Sequence, residues 1–324
     1  MFNDAHEQTV AQIHAALRGA RRVLIATHEH PDGDAIGSSL ALLTALRLQG
    51  KQVVAYIPDP APEQFLFLPG VAELSVQRPV VAEFDAVVVL DATYFGRTQL
   101  AAELAAHPLT ITIDHHLDNA AEATINLLVP QAAATAQILT AFFAATNTPI
   151  TSDMATCLLT GIFTDTGSFM HDSTTPEILK LAAQLMKKGA RLSHIAHETY
   201  QKKDLPSLRV WGRALSRIVI DQTTGVALSV ITAQDLTECG ATLDDLAGVV
   251  NMLNTLPEAK FALLLTEYEP GKIKGSLRSE PHKDVDVSAI AKRLGGGGHK
   301  LAAGFEVPGH IHRQEGMWRI VPAV

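Results

Sequence analysis

Residues 23–46, VLIATHEHPDGDAIGSSLALLTAL, read in order as an apolar run, a polar loop and a helical segment, and that order decides the fold. Residues 23–26 are a short β run. After the loop from His28 to Asp34, the residues Ile36, Leu40, Leu43 and Leu46 recur at helical spacing, and the helix stops near Gly50. Residues 53–57 then read as a second strand. Strand, loop, helix and strand in succession are the rhythm of a parallel sheet.

Upstream, Asp4 as N-cap with Val10, Ile13, His14 and Leu17 at helical spacing predicts a helix that ends at Gly19. Downstream, residues 86–90 and 109–113 are apolar runs of the kind covered on both faces, and each ends in a charged motif. Residues 132–145 and 152–163 read as helices. Thr175 with Pro176 is an N-cap and first-turn pair for a helix running to about Lys188. Residues 1–190 are therefore predicted as an α/β domain whose mostly parallel sheet is flanked by helices.

Residues 191–215 are polar and read as a linker, helical over 205–215. Beyond them, residues 217–220, 225–231, 260–268 and 272–278 read as strands, with a turn at residues 222–225 and a hairpin at Glu269-Pro270-Gly271. One amphipathic helix is predicted over 243–256 and another over 288–294. Residues 216–324 thus form a second, smaller α+β domain.

At 324 residues, 47% of them hydrophobic, the chain has the length for two domains and enough apolar material for two cores. Its longest apolar runs fall short of the roughly 20 residues that cross a membrane, and the first residues lack the basic start and apolar run of a signal peptide. The expectation is a cytoplasmic protein without a membrane partner. Cys157 and Cys239 have no CxxC neighbour, so they read as buried thiols rather than a disulfide framework or zinc ribbon. A net charge of −8 excludes the basic footprint needed to clamp a long nucleic acid duplex. A short anionic ligand held through metals is compatible with it.

The loop after the first strand holds His28, Asp32 and Asp34, at the sheet edge where open α/β folds bind ligands. Pro31 and Gly33 alternate with the aspartates and let both carboxylates face one point, although Pro-Asp-Gly by itself is ordinary turn chemistry. Asp91 ends the run 86–90; alone, it would read as a cap or turn residue. Asp114-His115-His116 ends the next strand. Asp165 lies among apolar and small residues in Gly161-Ile162-Phe163-Thr164-Asp165-Thr166-Gly167, where a carboxylate is costly without a partner. Separate segments thus deliver Asp and His to one edge, which predicts a metal site. Carboxylates and imidazoles without thiolate suit Mn²⁺ best, tolerate Mg²⁺ and accept Co²⁺. His30, His194 and His197 read as solvated, and His171 is left unassigned.

These segments, in order and spacing, resemble the successive motifs of the DHH phosphoesterase family. Gly295-Gly296-Gly297-Gly298-His299-Lys300-Leu301-Ala302-Ala303-Gly304-Phe305 resembles the glycine-rich signature of the DHH-associated domain, so the resemblance covers roughly residues 20–307. It implies two Mn²⁺ ions, one held by His28, Asp32 and Asp91 and the other by Asp34, Asp91, His115 and Asp165, with Asp91 bridging. Two such ions, about 3.5–4 Å apart, activate water for in-line displacement at phosphorus. His116 would lie beside the substrate phosphate, with Asp114 orienting a neighbouring histidine.

In the second domain, Arg278 at a strand end can grip a phosphate or stand solvated, and the glycine run can cradle an anion or act as a hinge. The resemblance favours substrate binding by Arg278, Gly297, Gly298 and His299. The chain's length resembles the branch that cleaves short oligoribonucleotides to mononucleotides and 3′-phosphoadenosine-5′-phosphate to AMP. Dinucleotide phosphodiesterases and a catalytically silent nucleotide sensor are the alternatives, and a homodimer is left open. The tail, residues 308–324, departs from relatives that end in a further helix.

Overall fold

The computed structural model describes residues 2–314 and 317–321. The chain divides into two units, Met1–Lys202 and Lys203–Val324.

The first unit is built on six parallel strands, β1 (Arg22–Ala26), β2 (Gln52–Tyr56), β3 (Leu74–Ser75), β4 (Ala86–Leu90), β5 (Thr110–Asp114) and β6 (Ile125–Leu128). Their order is β3-β2-β1-β4-β5-β6, with the central pairing Val23↔Ala86 through Ala26↔Val89. β4 and β5 are buried along their whole length: β4 is a continuous Ala, Val and Leu run of the kind covered on both faces, whereas β5 alternates Thr and Ile before Asp114. The chain order reverses direction between β1 and β4, so the loops after these two strands diverge and open a crevice at their carboxyl ends.

Helices α1 (Asp4–Gly19), α2 (Gly33–Leu48), α3 (Ala101–Ala105), α4 (Thr135–Ala145), α5 (Ser152–Asp165), α6 (Pro176–Lys187) and α7 (Leu192–Ala196) complete the unit. Asn3, not Asp4, caps α1: its side chain accepts from the His6 amide, and His6 closes the capping box. Asp4 is the first helical residue instead. Thr175 caps α6 as expected. α2 and α5 cross in close contact, because a Cβ at Gly37 would lie 2.3 Å from the Cys157 carbonyl and one at Gly161 would lie 2.5 Å from Asp34 Oδ1. Ile36, Leu40, Leu43, Leu158 and Ile162 fill the core beside this seam.

The second unit has a mixed six-stranded sheet of β7 (Val219–Asp221), β8 (Val226–Ile231), β9 (Phe261–Glu269), β10 (Lys272–Arg278), β11 (Gly297–His299) and β12 (Ala302–Pro308), in the order β11-β12-β10-β9-β8-β7. Only β8 and β9 run parallel. Helices α8 (Leu205–Ser216), α9 (Ala233–Cys239) and α10 (Val249–Asn254) pack one core around Val210, Leu236, Leu253 and Leu264. Helix α11 (Val287–Arg293) closes another with Leu277 and Phe305.

Two sequence readings change here. Residues 191–215 are not one linker: Ile195 of α7 is buried in the first core and Val210 of α8 in a core of the second unit. The helix expected over 243–256 is interrupted, since Gly248 takes a left-handed φ of 95° and α10 begins only after it. The tail, in part outside the described residues, forms the hairpin β13 (His310–Gln314) and β14 (Met317–Val321). It is fastened by Glu267, which accepts from the Ile311 amide at 2.9 Å and contacts His310 Nδ1 at 2.8 Å. None of the described helices is long and apolar enough to cross a membrane.

Candidate metal centre

The loop following β1 begins with Thr27, whose hydroxyl donates to the Leu90 carbonyl at 2.8 Å and ties the ends of β1 and β4 together. His28 comes next. Asp32 is the N-cap of α2, and its Oδ1 accepts from the Asp34 and Ala35 amides, both at 3.0 Å. Capping occupies one oxygen and leaves Oδ2 for another partner. Asp34, in the first helical turn, is fully buried. Its oxygens accept from the Thr135 amide at 2.5 Å, the Ala136 amide at 2.9 Å and the Ser38 hydroxyl at 3.1 Å. The partial positive charge at the start of α4 thus faces this carboxylate.

Asp91 follows β4 directly in the left-handed region, φ 57°, a conformation that costs a non-glycine residue free energy and is held by the surrounding structure. The Asp91 amide donates to the Ile113 carbonyl, and Thr135 Oγ1 donates to Asp91 Oδ1 at 3.0 Å. His28 Nε2 lies 3.8 Å and His115 Nε2 3.6 Å from its two oxygens. His115 Nε2 is also 3.1 Å from Asp165 Oδ2. Potential ligand atoms of His28, Asp32 and Asp91 all fall within 4.8 Å of one another, as do those of Asp34, His115 and Asp165.

The imidazoles share one arrangement. His28 Nδ1 donates to the Glu29 carbonyl at 2.6 Å, His115 Nδ1 to the Ala132 carbonyl at 3.2 Å and His116 Nδ1 to Asp114 Oδ1 at 2.7 Å. Each Nδ1 is anchored, so each Nε2 is the free nitrogen, the pattern by which outer partners fix metal-binding histidines. Asp114, fully buried, also accepts from the amides of His115 and His116 and from Asn119 Nδ2 at 2.6 Å.

Without a cation these groups compete for protons. Burial, and then the charges of Asp91 and Asp165, push the Asp34 carboxyl far up. Burial lifts Asp165 to about 7. Asp32 is raised by confinement and by Asp91, although water reaches it and weakens the first effect. Burial acts to lower His115, but Asp165, Asp34 and Asp91 outweigh it and carry the imidazole to about 10. Burial also opposes the charged form of Asp91, yet His28, His115 and His116 together hold its carboxyl below the usual range. A divalent cation replaces shared protons in such a cluster, and oxygen and imidazole donors without sulfur fit Mn²⁺ or Mg²⁺.

All the first-half residues singled out from sequence, His28, Asp32, Asp34, Asp91, His115, His116 and Asp165, meet at this edge. His30 is exposed beside Asp59, and His171 is exposed with Nδ1 on the Asp165 carbonyl. His194 differs from its reading as a solvated residue: it packs edge-on against Phe67 at 5.2 Å. Thr135, Ser38 and Asn119, which hold the carboxylates, were missed. Only Thr135 carried a signal, as a hydroxyl residue at the start of an apolar helix.

Arg278, Gly297, Gly298 and His299 belong to the second unit. Arg278 and His299 pair with Ala302 from the two sides of β12. Arg278 is half-buried; its Nη1 donates to the Leu277 carbonyl, and burial without a counter-charge pulls its pKa down. The glycine run is ordered rather than a free hinge, since residues 297–299 form edge strand β11. A Cβ at Gly298 would lie 2.6 Å from the Ala302 carbonyl, whereas one at Gly297 would meet nothing within 4 Å.

Residues 22–162 match the model of the DHH family N-terminal domain, and residues 224–317 match the DHHA1 domain. The chain is 33% identical over 315 residues to a Thermus thermophilus protein named bifunctional oligoribonuclease and PAP phosphatase NrnA, covering 97% of this chain and 92% of that one. The chain belongs to the DHH family of phosphoesterases. A solved structure described as an exopolyphosphatase-related protein from Bacteroides fragilis superposes with a TM-score of 0.87 at 27% identity, covering 93% of this chain and 91% of that chain. Thermus thermophilus RecJ, solved in complex with Mn²⁺, shares the DHH fold with a TM-score of 0.54 at 13% identity, covering 94% of this chain and 52% of RecJ.

Proposed function

We propose that this chain is a two-metal phosphoesterase that hydrolyses short oligoribonucleotides to mononucleotides and 3′-phosphoadenosine-5′-phosphate to AMP in the cytoplasm. The observation that carries the reading is that one ligand triad, His28, Asp32 and the strained, buried Asp91, lies beside a second, Asp34, His115 and Asp165, whose His115 Nε2 is 3.6 Å from Asp91 Oδ1. His28, Asp32 and Asp91 hold one Mn²⁺; Asp34, Asp91, His115 and Asp165 hold the other. When bound, the ions supply an activated water and neutralise charge on the phosphorus oxygens.

The chain's own residues do the rest. The anchored Nδ1 atoms aim the imidazoles, and the start of α4 keeps Asp34 in place. Burial works against a charged His116, but its hydrogen bond to Asp114 and the charge of Asp91 outweigh that and raise its pKa. The raised pKa favours a charged His116 that can donate through Nε2 to a phosphate oxygen. In the DHHA1 unit, Arg278 and His299 bind the substrate, supported by an uncompensated guanidinium in register with the histidine. Gly297 has no local reason to lack a side chain, which supports close approach by a ligand. Gly298 is explained by its contact with β12 and keeps the strand in position.

The test compares turnover with Mn²⁺ on RNAs of roughly two to five nucleotides, a long single strand, 3′-phosphoadenosine-5′-phosphate, a cyclic dinucleotide and pyrophosphate. The acidic surface predicts fast release of mononucleotides from the short RNAs and slow turnover of the long one. Equal rates on short and long strands would overturn the short-substrate reading, and no turnover of any of them would overturn the enzyme reading.

A further inference from the structure

Asp91 is followed by a 3-10 turn, Phe95–Thr98, that is clamped on all sides. Phe95 is buried, its amide donates to Glu122 Oε2 at 2.5 Å, and Thr98 Oγ1 donates to the Phe95 carbonyl at 2.7 Å. The Arg97 carbonyl accepts from the Glu29 amide at 2.8 Å, which joins this turn to the loop that carries His28. The backbone at Arg97 is thus held by hydrogen bonds within the turn and to the His28 loop.

Its side chain ends 3.1 Å from His28 Nδ1. That nitrogen is already 2.6 Å from the Glu29 carbonyl, a contact that is a hydrogen bond only if Nδ1 carries the proton. With the proton there, Arg97 faces a donor, and the contact gives its guanidinium nothing to bind. Among the other arginines of this unit, Arg22, Arg47 and Arg78 each hold a glutamate, and Arg18, Arg21 and Arg191 are exposed to solvent. Arg97 is half-buried and, among the described residues, has no carboxylate within ion-pair distance. A fixed guanidinium that is partly dehydrated and lacks an acceptor is a site for an oxyanion, which its planar fork can grip through two oxygens.

We infer that Arg97 binds the substrate phosphate at the metal centre, on the side of His28 away from Asp91, and holds the nucleotide product by the same contact. This rests on the phosphoesterase reading above. It gives the first unit its own phosphate grip, independent of Arg278. The competing role is a strut that keeps His28 in place.

The test uses the full chain loaded with Mn²⁺, with AMP and inorganic phosphate as probes. Arg97→Met keeps the apolar stem and removes the charge. Mn²⁺ content should stay at the wild-type level while AMP affinity by calorimetry falls roughly ten- to a hundredfold, the effect of losing one charge-assisted contact. The kcat/KM on a dinucleotide should fall by a similar factor, and Arg97→Lys should recover part of both. If Arg97→Met does not fold, Arg97→Gln carries the same measurements, since it keeps donors but not charge. Unchanged AMP affinity overturns the inference. Loss of Mn²⁺ in step with activity also overturns it and assigns Arg97 to the strut. A wild-type protein that binds Mn²⁺ but neither binds AMP nor cleaves the dinucleotide would instead sink the underlying phosphoesterase reading.

Discussion

Asp235 in the second unit and Asp34 in the first are both buried carboxylates, and they are treated in opposite ways. Asp235 in the second unit is 2% exposed and sits among its own cations, accepting from Arg213 Nη1 at 2.6 Å, Arg217 Nη2 at 2.8 Å and the Thr232 amide at 2.8 Å. Burial opposes its charge, but Arg217, Thr232 and Arg213 hold its carboxyl far below the ordinary range. Asp34 and Asp165 in the first unit are pushed up instead, because burial is reinforced by neighbouring carboxylates rather than outweighed by cations. The first arrangement is complete within the chain and serves stability. The second is incomplete, and what completes it comes from outside.

The largest break in that comparison is expected from Asp91→Asn. It removes the charge that both proposed metal sites would share, so Mn²⁺ content and turnover should fall together, turnover by more than about a thousandfold, because losing an outer partner alone costs roughly 10- to 100-fold. Full metal occupancy with normal turnover would remove Asp91 from the centre. Next comes Asp235→Ala, which leaves Arg217 without its carboxylate while Arg213 keeps Glu238, and which should destabilise the second unit by about 1.5–3 kcal/mol in denaturant unfolding while leaving Mn²⁺ content alone. The sign follows from the lowered pKa: this stabilisation is present above the unfolded aspartate value near about 3.9 and is lost only as the pH falls below it. A variant as stable as wild type would reduce the cluster to a surface ion pair.

A smaller effect is expected from Arg278→Ala. Bound Mn²⁺ should not change, while kcat/KM on a dinucleotide falls roughly ten- to a hundredfold, mostly in KM if the contact is equally strong throughout the reaction. His116→Ala should lower kcat at saturating substrate, because that side chain stands beside the reacting group. Identical kinetic signatures for the two variants would erase the division of labour between units.

The gentlest probe is pH. At neutral pH His115, raised to about 10, is protonated and Asp165, at about 7, is half protonated, so Mn²⁺ must displace protons from both. Mn²⁺ affinity should therefore rise between pH 6 and 8, by about tenfold per unit for each proton released. Calorimetry in buffers of different ionisation enthalpy counts those protons, and a count of zero would mean that the centre is already deprotonated.

Much of the site was legible because its residues punctuate strongly patterned elements. The apolar runs around residues 28–34, 86–91 and 109–116 fixed strand ends, and strand ends of one parallel sheet share an edge. What holds the carboxylates was not legible. Asp34 takes amides from Thr135 and Ala136, 101 and 102 residues away, and no local pattern announces such a bond. Likewise the anchor of the final hairpin, Glu267, lies 44 residues before the amide it accepts from. The false long helix over 243–256 has a local cause: its amphipathic pattern runs on through Gly248, where the backbone turns left-handed.

The seam between α2 and α5 carries a lesson for anyone who redesigns this scaffold. Asp34 and Asp165 ride on the two helices that Gly37 and Gly161 bring together, and a methyl group at Gly161 would run into the Asp34 carboxylate itself. Interior packing and ligand spacing are therefore set by the same atoms. A library aimed at metal preference should leave this seam untouched and vary the loops that present His28, His115 and His116, where a side chain can shift without forcing two helices apart.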